Sequence, residues 1–281
     1  MGSEMCIRDR PQLIKQIIKD MGFKNNTKGC ETPALVTIIL NKDEDDDPMD
    51  EEWEYRSIVG KLNYLEKTSR PDIAYAVHQC ARFSSNPKVS HAAALKRIVR
   101  YLLTTSDKRM LIKPTDQSFQ CWVDSDYCGL WNKPTAEANP NTAKSRTGYV
   151  ITYAGTPLVW ASRMQGEIAL STTEAEYIAL SESLCSVILL TQLINEIRER
   201  GFPIPAPAPA THCKAFGDNS GALEIARTPK MRPRTRHLNV KYHHFRDAVA
   251  RGLSSLVQVG TLNQVADIFT KPLGKELFVK Q

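Results

Sequence analysis

The sequence predicts an α/β protein in which a mostly helical partial domain precedes a five-stranded mixed sheet flanked by helices. Before residue 115, apolar residues recur mainly at helical spacing, and from Phe119 onward short β-rich runs alternate with helical runs. A chain of 281 residues is long enough for one complete domain and part of another. We therefore expect a helical domain over residues 11–115 and a sheet domain over residues 116–281.

The bulk composition favours an intracellular, soluble protein without a membrane partner. Lys and Arg number 37 against 31 Asp and Glu, so the net charge of +6 is compatible with a polyanionic partner without requiring one. The seven cysteines are scattered and never spaced as Cys-x-x-Cys, which argues against a disulfide framework or a zinc site and favours a reducing compartment. No apolar run approaches the roughly 20 residues that span a bilayer, and no signal peptide opens the chain.

The predicted helical domain follows residues 1–10, which join no periodic pattern and which we interpret as a non-native or disordered leader. Apolar spacing predicts a first helix that ends at Gly22 and further helices over residues 55–64, 72–83 and 91–103. The acidic run at residues 43–47 is interpreted as a solvated loop, because dense like charge resists packing. The basic residues of the helix over 91–103 either follow a nucleic-acid backbone or form an exposed face, and the sequence leaves both interpretations open.

The predicted sheet begins with three β-rich runs that form an antiparallel meander, at residues 119–124, 147–153 and 157–163. A long helix follows, capped by Thr172 or Thr173 and ended by Gly201, and a stiff Pro-rich connector covers residues 203–209. The remaining strands are predicted at 214–217 and 254–259, and the remaining helices at 219–226, 240–251 and 262–269.

Four acidic residues occupy chemically suggestive places on these elements: Asp124, Glu176, Asp218 and Asp267. Asp124 ends a strand, Glu176 lies early in the long helix, and Asp218 follows the next strand. If they fold together, their carboxylates repel one another unless cations lie between them, so such a cluster would imply a divalent metal. Oxygen-only ligands suit magnesium or manganese.

Two of these positions have a competing neighbour. Strand alternation puts Asp124 and Asp126 on the same face, so spacing cannot separate them. In the long helix, the residues at i+4 steps after Glu176 are leucine and isoleucine, so Glu176 lies on the side of the helix that faces the core. Glu174 fits the first turn, where the helix dipole favours an acidic residue. Asp218 has an alternative role as the residue that starts the following helix.

Several ordered motifs resemble the ribonuclease H domain of copia-type retrotransposon polyproteins. They are residues 169–180 (ALSTTEAEYIAL), 218–222 (DNSGA), 234–237 (RTRH) and 266–273 (ADIFTKPL). Upstream, residues 55–60 (YRSIVG) and 68–75 (TSRPDIAY) resemble the end of the reverse transcriptase that precedes that domain. The Tyr-x-Asp-Asp motif of reverse transcriptases is absent from the sequence, so we expect no polymerase activity from this chain.

The resemblance implies a ribonuclease H-like fold and hydrolysis of the RNA strand of RNA/DNA hybrids during retrotransposon reverse transcription. It implies two Mg²⁺ ions, or Mn²⁺, with Asp124 bridging the pair, Glu176 and Asp218 on one ion and Asp267 on the other. Asp124 is preferred to Asp126 because it matches the first aspartate of the family motif. The rest of the polyprotein would be a partner, in the cytoplasm or within virus-like particles, with nuclear passage in the cycle.

A basic loop is the predicted contact to nucleic acid, and we assign it Arg227, Lys230, Arg232, Arg234, Arg236 and His237. Two other functions compete with hydrolysis of hybrids. An integrase or transposase of the same fold usually places its glutamate last in the carboxylate order, whereas here it is second. A decayed fragment that binds nucleic acid without cleaving it is the main alternative, and the presence of all the carboxylates argues against it.

Overall fold

A computed structural model describes residues 6–24, 26–42, 46–113, 118–131, 133, 140–202, 212–228 and 240–281. The chain divides into two compact units. Of the described residues, the sheet unit takes those within Lys113–Trp131 and Asn141–Thr270, and the helical unit takes those within Met5–Ile112, Asn132–Pro140 and Lys271–Gln281. The C-terminal segment thus belongs with the helical unit, where Phe278 packs edge-on against Tyr101 with ring centroids 5.7 Å apart.

The helical unit is built from amphipathic helices around an apolar core. Its elements are β1 (Cys6–Arg8), α1 (Pro11–Asp20), α2 (Tyr55–Thr68), α3 (Ala74–Ala81), α4 (Val89–Thr104), β2 (Met110–Ile112) and the last helix of the chain, α9 (Lys275–Lys280). β1 pairs antiparallel with β2. Residues 6–8 of the predicted non-native or disordered leader thus pair with a strand that lies far away in the sequence.

The sheet unit contains five strands and four helices among the described residues. The strands are β3 (Phe119–Asp126), β4 (Arg146–Tyr153), β5 (Thr156–Met164), β6 (Cys213–Gly217) and β7 (Ser254–Gln258). The helices are α5 (Thr172–Glu199), α6 (Ser220–Arg227), α7 (Arg246–Ala250) and α8 (Asp267–Thr270). The sheet order is β5-β4-β3-β6-β7, antiparallel across β3, β4 and β5 and parallel across β3, β6 and β7. This mixed five-stranded sheet is the ribonuclease H-like architecture that the resemblance implied.

The core of the sheet unit lies between the sheet and α5. Alternation along β3 directs Phe119, Cys121 and Val123 into this core, where Tyr177 and Leu184 of α5 also lie. By length and composition α5 could cross a membrane. Its burial against the sheet instead accounts for its apolar character, since a core helix needs the same residues.

The structure corrects three element predictions. Ser171, not Thr172 or Thr173, caps α5, because its hydroxyl accepts from the Glu174 N–H at 3.1 Å. The helix predicted over residues 240–251 is a 3₁₀ turn followed by α7. The last predicted helix, over residues 262–269, is a 3₁₀ turn at Thr261–Asn263 and then α8.

The break before α8 has a visible cause. The buried Gln264 side chain donates from Nε2 to the Val123 carbonyl at 2.8 Å and accepts at Oε1 from the Ala266 N–H at 3.2 Å. These bonds hold the backbone against the end of β3 and prevent one continuous helix. The Pro-rich connector at residues 203–209 lies outside the described residues.

Candidate active site

The parallel pairing of β3 with β6 brings two carboxylates to one edge of the sheet. Asp124 lies near the end of β3, and Asp218 directly follows β6. Carboxyl ends of neighbouring parallel strands form the edge where α/β sheets place their ligands. Asp218 does not cap α6, because Asn219 takes that role and accepts from the Ala222 N–H at 2.9 Å. The capping alternative for Asp218 is therefore wrong.

The two glutamates at the start of α5 have different contacts. Glu174 accepts from the Leu170 N–H at 2.9 Å, and its own N–H donates to Ser171, so it forms a reciprocal cap at the helix N-terminus. Glu176 instead reaches the sheet, where its Oε1 accepts from the Ser125 N–H at 3.1 Å. The first glutamate stabilises the helix end, and the second extends to the edge that carries Asp124.

Asp124, Glu176 and Asp218 converge. One carboxylate oxygen from each residue lies within 4.8 Å of the other two. At that separation two ionised carboxylates repel by about 3.5 kcal/mol even at an effective dielectric constant of 20. Asp124 is also only 3% exposed, so water screens its charge weakly. The oxygen-only donor set fits a hard divalent cation, which would remove this repulsion.

Asp126, the competitor of Asp124, is not in this group. Its carboxylate lies over Gly129, where an added Cβ would be 1.7 Å from Oδ2. The Asp126 carboxylate thus occupies the space beside Gly129, and a larger residue at position 129 would require this side chain to move.

The structure places Asp267 as the first residue of α8, where it is 5% exposed. We expected it in the middle of a helix, and the bonds of Gln264 explain the difference. The group of three carboxylates does not include it. Its role as a further metal ligand stays a prediction.

Sequence reasoning missed Thr270, whose buried hydroxyl donates to Oδ2 of Asp124. It also missed Gly148, the β4 residue opposite Asp124, which lets α8 lie directly on the strand. A glycine inside a predicted strand is a signal of close approach, and this signal was available at Gly148.

A third missed residue is Gln165, which is 1% exposed. Its Nε2 donates to the Ala175 carbonyl at 2.8 Å and lies 3.2 Å from the Thr147 hydroxyl oxygen, joining the first turns of α5 to the sheet. No pattern in the sequence identifies such a bridge, because the groups that it joins are main-chain and hydroxyl oxygens.

Of the predicted nucleic-acid contacts, only Arg227 lies within the described residues. It is exposed, and its Nη2 donates to the Leu256 carbonyl at 2.6 Å, which fixes the end of α6 beside β7. The other predicted contacts, Lys230, Arg232, Arg234, Arg236 and His237, lie outside the described residues.

Comparisons with known proteins connect this site to a family. No protein-family model matches the chain. The Pol polyprotein of transposon RE1 from Arabidopsis thaliana, described as retrovirus-related, is 34% identical over 226 residues, covering 80% of this chain and 14% of that protein. The corresponding polyprotein of transposon TNT 1-94 from Nicotiana tabacum is 30% identical over 273 residues, covering 94% of this chain and 19% of that protein.

Among solved structures, the N-terminal RNase H domain of rv2228c from Mycobacterium tuberculosis, in a maltose-binding-protein fusion, shares 15% identity and has a TM-score of 0.36, covering 55% of this chain and 91% of that one.

The homologues of this chain are retrovirus-related Pol polyproteins from copia-like transposons. The similarity is consistent with the C-terminal reverse transcriptase and ribonuclease H region, as the motifs indicated. The chain spans 14% and 19% of the lengths of the two relatives described above.

Proposed function

We propose that this chain hydrolyses the RNA strand of RNA/DNA hybrids during retrotransposon reverse transcription. The observation that carries the proposal is the convergence of carboxylate oxygens from Asp124, Glu176 and Asp218 within 4.8 Å at the edge of a ribonuclease H-like sheet. Without cations such a group would be strongly self-repelling and would also repel the phosphates of a nucleic acid.

Asp124, Glu176 and Asp218 would hold Mg²⁺, or Mn²⁺ in its place, and Asp267 is proposed as the ligand of a second ion. When bound, the metal would activate the attacking water and neutralise charge on the reacting phosphate. The chain itself orients the ligands: the Ser125 N–H holds Glu176, and the Thr261 hydroxyl donates to Asp218 at 3.1 Å. Burial of Asp124 keeps one side of the site dry.

Selectivity for RNA would come from contacts to 2′-hydroxyl groups across the shallow groove of the hybrid. The predicted basic loop begins at Arg227, which is the last residue of α6, and α6 begins two residues after Asp218. We propose that this loop contacts phosphates of the bound hybrid. The rest of the reverse transcriptase polyprotein is the proposed partner, in the cytoplasm or within virus-like particles, with nuclear passage in the cycle.

A fragment that only binds nucleic acid is not favoured. A protein that binds a polyanion without cleaving it gains nothing from three converging carboxylates, because they oppose binding electrostatically.

The test is cleavage of a labelled RNA/DNA hybrid with and without Mg²⁺, beside single-stranded RNA and duplex DNA of the same sequence. We expect cleavage of the RNA strand of the hybrid alone, and loss of cleavage in EDTA. Asp124→Asn should abolish cleavage with the fold intact, because it removes charge at nearly constant volume. Asp126→Asn is the matched control and should remain active. Cleavage that persists in EDTA or in Asp124→Asn would contradict the proposal.

A further inference from the structure

Asp124 has a buried hydroxyl donor on a different element. Thr270, the last residue of α8, donates from Oγ1 to Asp124 Oδ2. Thr270 is 0% exposed and Asp124 is 3% exposed, so water cannot replace this bond in the folded protein. A hydrogen bond to an ionised acceptor in a buried place is among the stronger side-chain bonds of a protein.

The backbone fixes the position of this donor. Gly148 pairs directly with Asp124 across the sheet. A Cβ at Gly148 would lie 2.5 Å from Thr270 Cγ2 and 2.8 Å from Phe269 Cβ. The absence of a side chain at this position therefore allows α8 to rest on β4, with Thr270 beside the carboxylate.

A second contact holds the segment that leads into α8. Gln264, 0% exposed, donates to the carbonyl of Val123, the residue before Asp124. Both the backbone before Asp124 and its side chain are thus bonded to one short stretch of chain, Gln264 to Thr270. A threonine hydroxyl has a single proton, and its alternative acceptor, the Asp267 carbonyl, lies farther away at 3.3 Å.

We propose that Thr270 is a positioning residue for the carboxylate of Asp124. Its hydroxyl fixes the rotation of that carboxylate, so that the group formed with Glu176 and Asp218 is preorganised before metal and substrate bind. The inference rests on the proposed function, since it assigns Thr270 a role toward a residue of the same site.

Two substitutions of Thr270 separate the hydroxyl from the methyl group. Thr270→Val keeps the methyl group that packs on Gly148 and removes the donor. Thr270→Ser keeps the donor and removes the methyl group. If Thr270 positions the carboxylate, Thr270→Val should lower kcat on the hybrid by roughly 10- to 100-fold, with KM for the hybrid nearly unchanged. Thr270→Ser should keep most of the wild-type kcat. If Thr270 only packs α8, Ser should be the more damaging change.

Mn²⁺ binding without nucleic acid gives a readout besides activity, and electron paramagnetic resonance of free Mn²⁺ measures it. We expect Thr270→Val to weaken Mn²⁺ affinity about tenfold and Thr270→Ser to leave it near the wild-type value. Thr191→Val is the matched control, because Thr191 is also buried and its hydroxyl donates within α5 itself, to the Val187 carbonyl at 2.8 Å. It should lose stability without losing Mn²⁺ affinity.

The outcomes distinguish the two proposals. Wild-type protein that neither binds Mn²⁺ nor cleaves the hybrid would overturn the proposed function. Wild-type protein that does both, with Thr270→Val equal to it, would overturn the positioning role alone. Should Thr270→Val fail to fold by circular dichroism, a folded Thr270→Ser with kcat as low as that of Asp124→Asn would also overturn the positioning role.

Discussion

Glu174 and Glu176 lie two residues apart on α5, and their contacts divide them cleanly. One caps the helix through the Leu170 N–H, and the other accepts from the Ser125 N–H at the edge of the sheet. The difference arises because successive helix positions are rotated by about 100°. At this scale the chemistry of a side chain is set by which neighbour it reaches.

Glu176→Gln should therefore lower kcat on the hybrid by about a hundredfold or more, since it removes a ligand charge and leaves an oxygen for the Ser125 N–H. Glu174→Gln should remain within about threefold of wild type, because an amide oxygen can still accept from Leu170. Steady-state cleavage of the labelled hybrid measures both. If Glu174→Gln lowered kcat more than Glu176→Gln did, Glu174 would be the metal ligand and Glu176 would not.

His91 provides a prediction about acid stability in the helical unit. The ring is 1% exposed, its Nδ1 accepts from the Lys88 N–H at 3.0 Å, and its Nε2 donates to the Asn41 carbonyl at 2.8 Å. Burial away from water lowers the pKa of His91, and the nearby cations Lys88 and Arg82 lower it as well. The folded protein therefore holds the neutral ring.

Because the pKa is lower in the folded state, the unfolded state binds the extra proton first as pH falls. The contribution of His91 to the free energy of unfolding is full above about pH 6.5, the ordinary histidine value, and is lost as pH falls below it toward the folded-state pKa. Urea unfolding should show that the free energy of unfolding falls less between pH 7.5 and pH 5.5 for His91→Asn than for wild type. An equal loss in both proteins would assign the acid sensitivity to other groups.

At the scale of elements, α8 differs from what local patterns indicate. The sequence suggests one helix over residues 262–269, but side-chain bonds from Gln264 divide it and leave α8 as a short helix placed by its neighbours. The basic face of α4 is predicted either to follow a nucleic-acid backbone or to be exposed. In the structure, Lys96 pairs with Glu51 and Arg97 donates to Thr32, so both cations have partners within the helical unit.

The basic loop should contribute to hybrid affinity by binding phosphates. Changing Arg232, Arg234 and Arg236 together to Ala should weaken binding and flatten its salt dependence by roughly one unit of log-log slope for each phosphate that the variant no longer binds. The value of kcat at saturating hybrid should change less, because the carboxylates are untouched. Affinity measured across a salt titration gives the slope.

A control variant with the same charge change separates a local effect from an effect of net charge. Lys214, Arg200 and Arg251 are exposed in the sheet unit, and their joint change to Ala should leave the slope near that of wild type. Equal slopes in wild type and in the loop variant would make the loop an exposed connector.

At the scale of the molecule, the chain forms two units, and its C-terminal segment belongs with the helical one. Phe278 of α9 is 8% exposed and packs on Tyr101 of α4. The helical unit therefore gathers residues from both ends of the described chain, and its stability depends on a segment that follows the whole of the sheet unit.

Phe278→Ala should destabilise the helical unit by about 3 kcal/mol, the usual cost of truncating a buried aromatic side chain. Hydrogen exchange followed by mass spectrometry should show faster exchange in peptides from α4 and unchanged exchange in peptides from β4 and β5. Leu277→Ala, at a neighbouring position that is 39% exposed, is the control and should have little effect. Equal acceleration in both units would mean that they open together.

The sequence by itself determined the α/β class, the approximate bounds of the strands, and the carboxylates of Asp124, Glu176 and Asp218. These follow from local periodicity and from motifs that are contiguous in the chain. Only the tertiary structure decided that Thr270 bonds to Asp124 across 146 residues of sequence and that Gln264 bonds to Val123 across 141. Such contacts depend on how the elements pack, here on the space left at Gly148, and packing over that separation leaves no period in the sequence to detect.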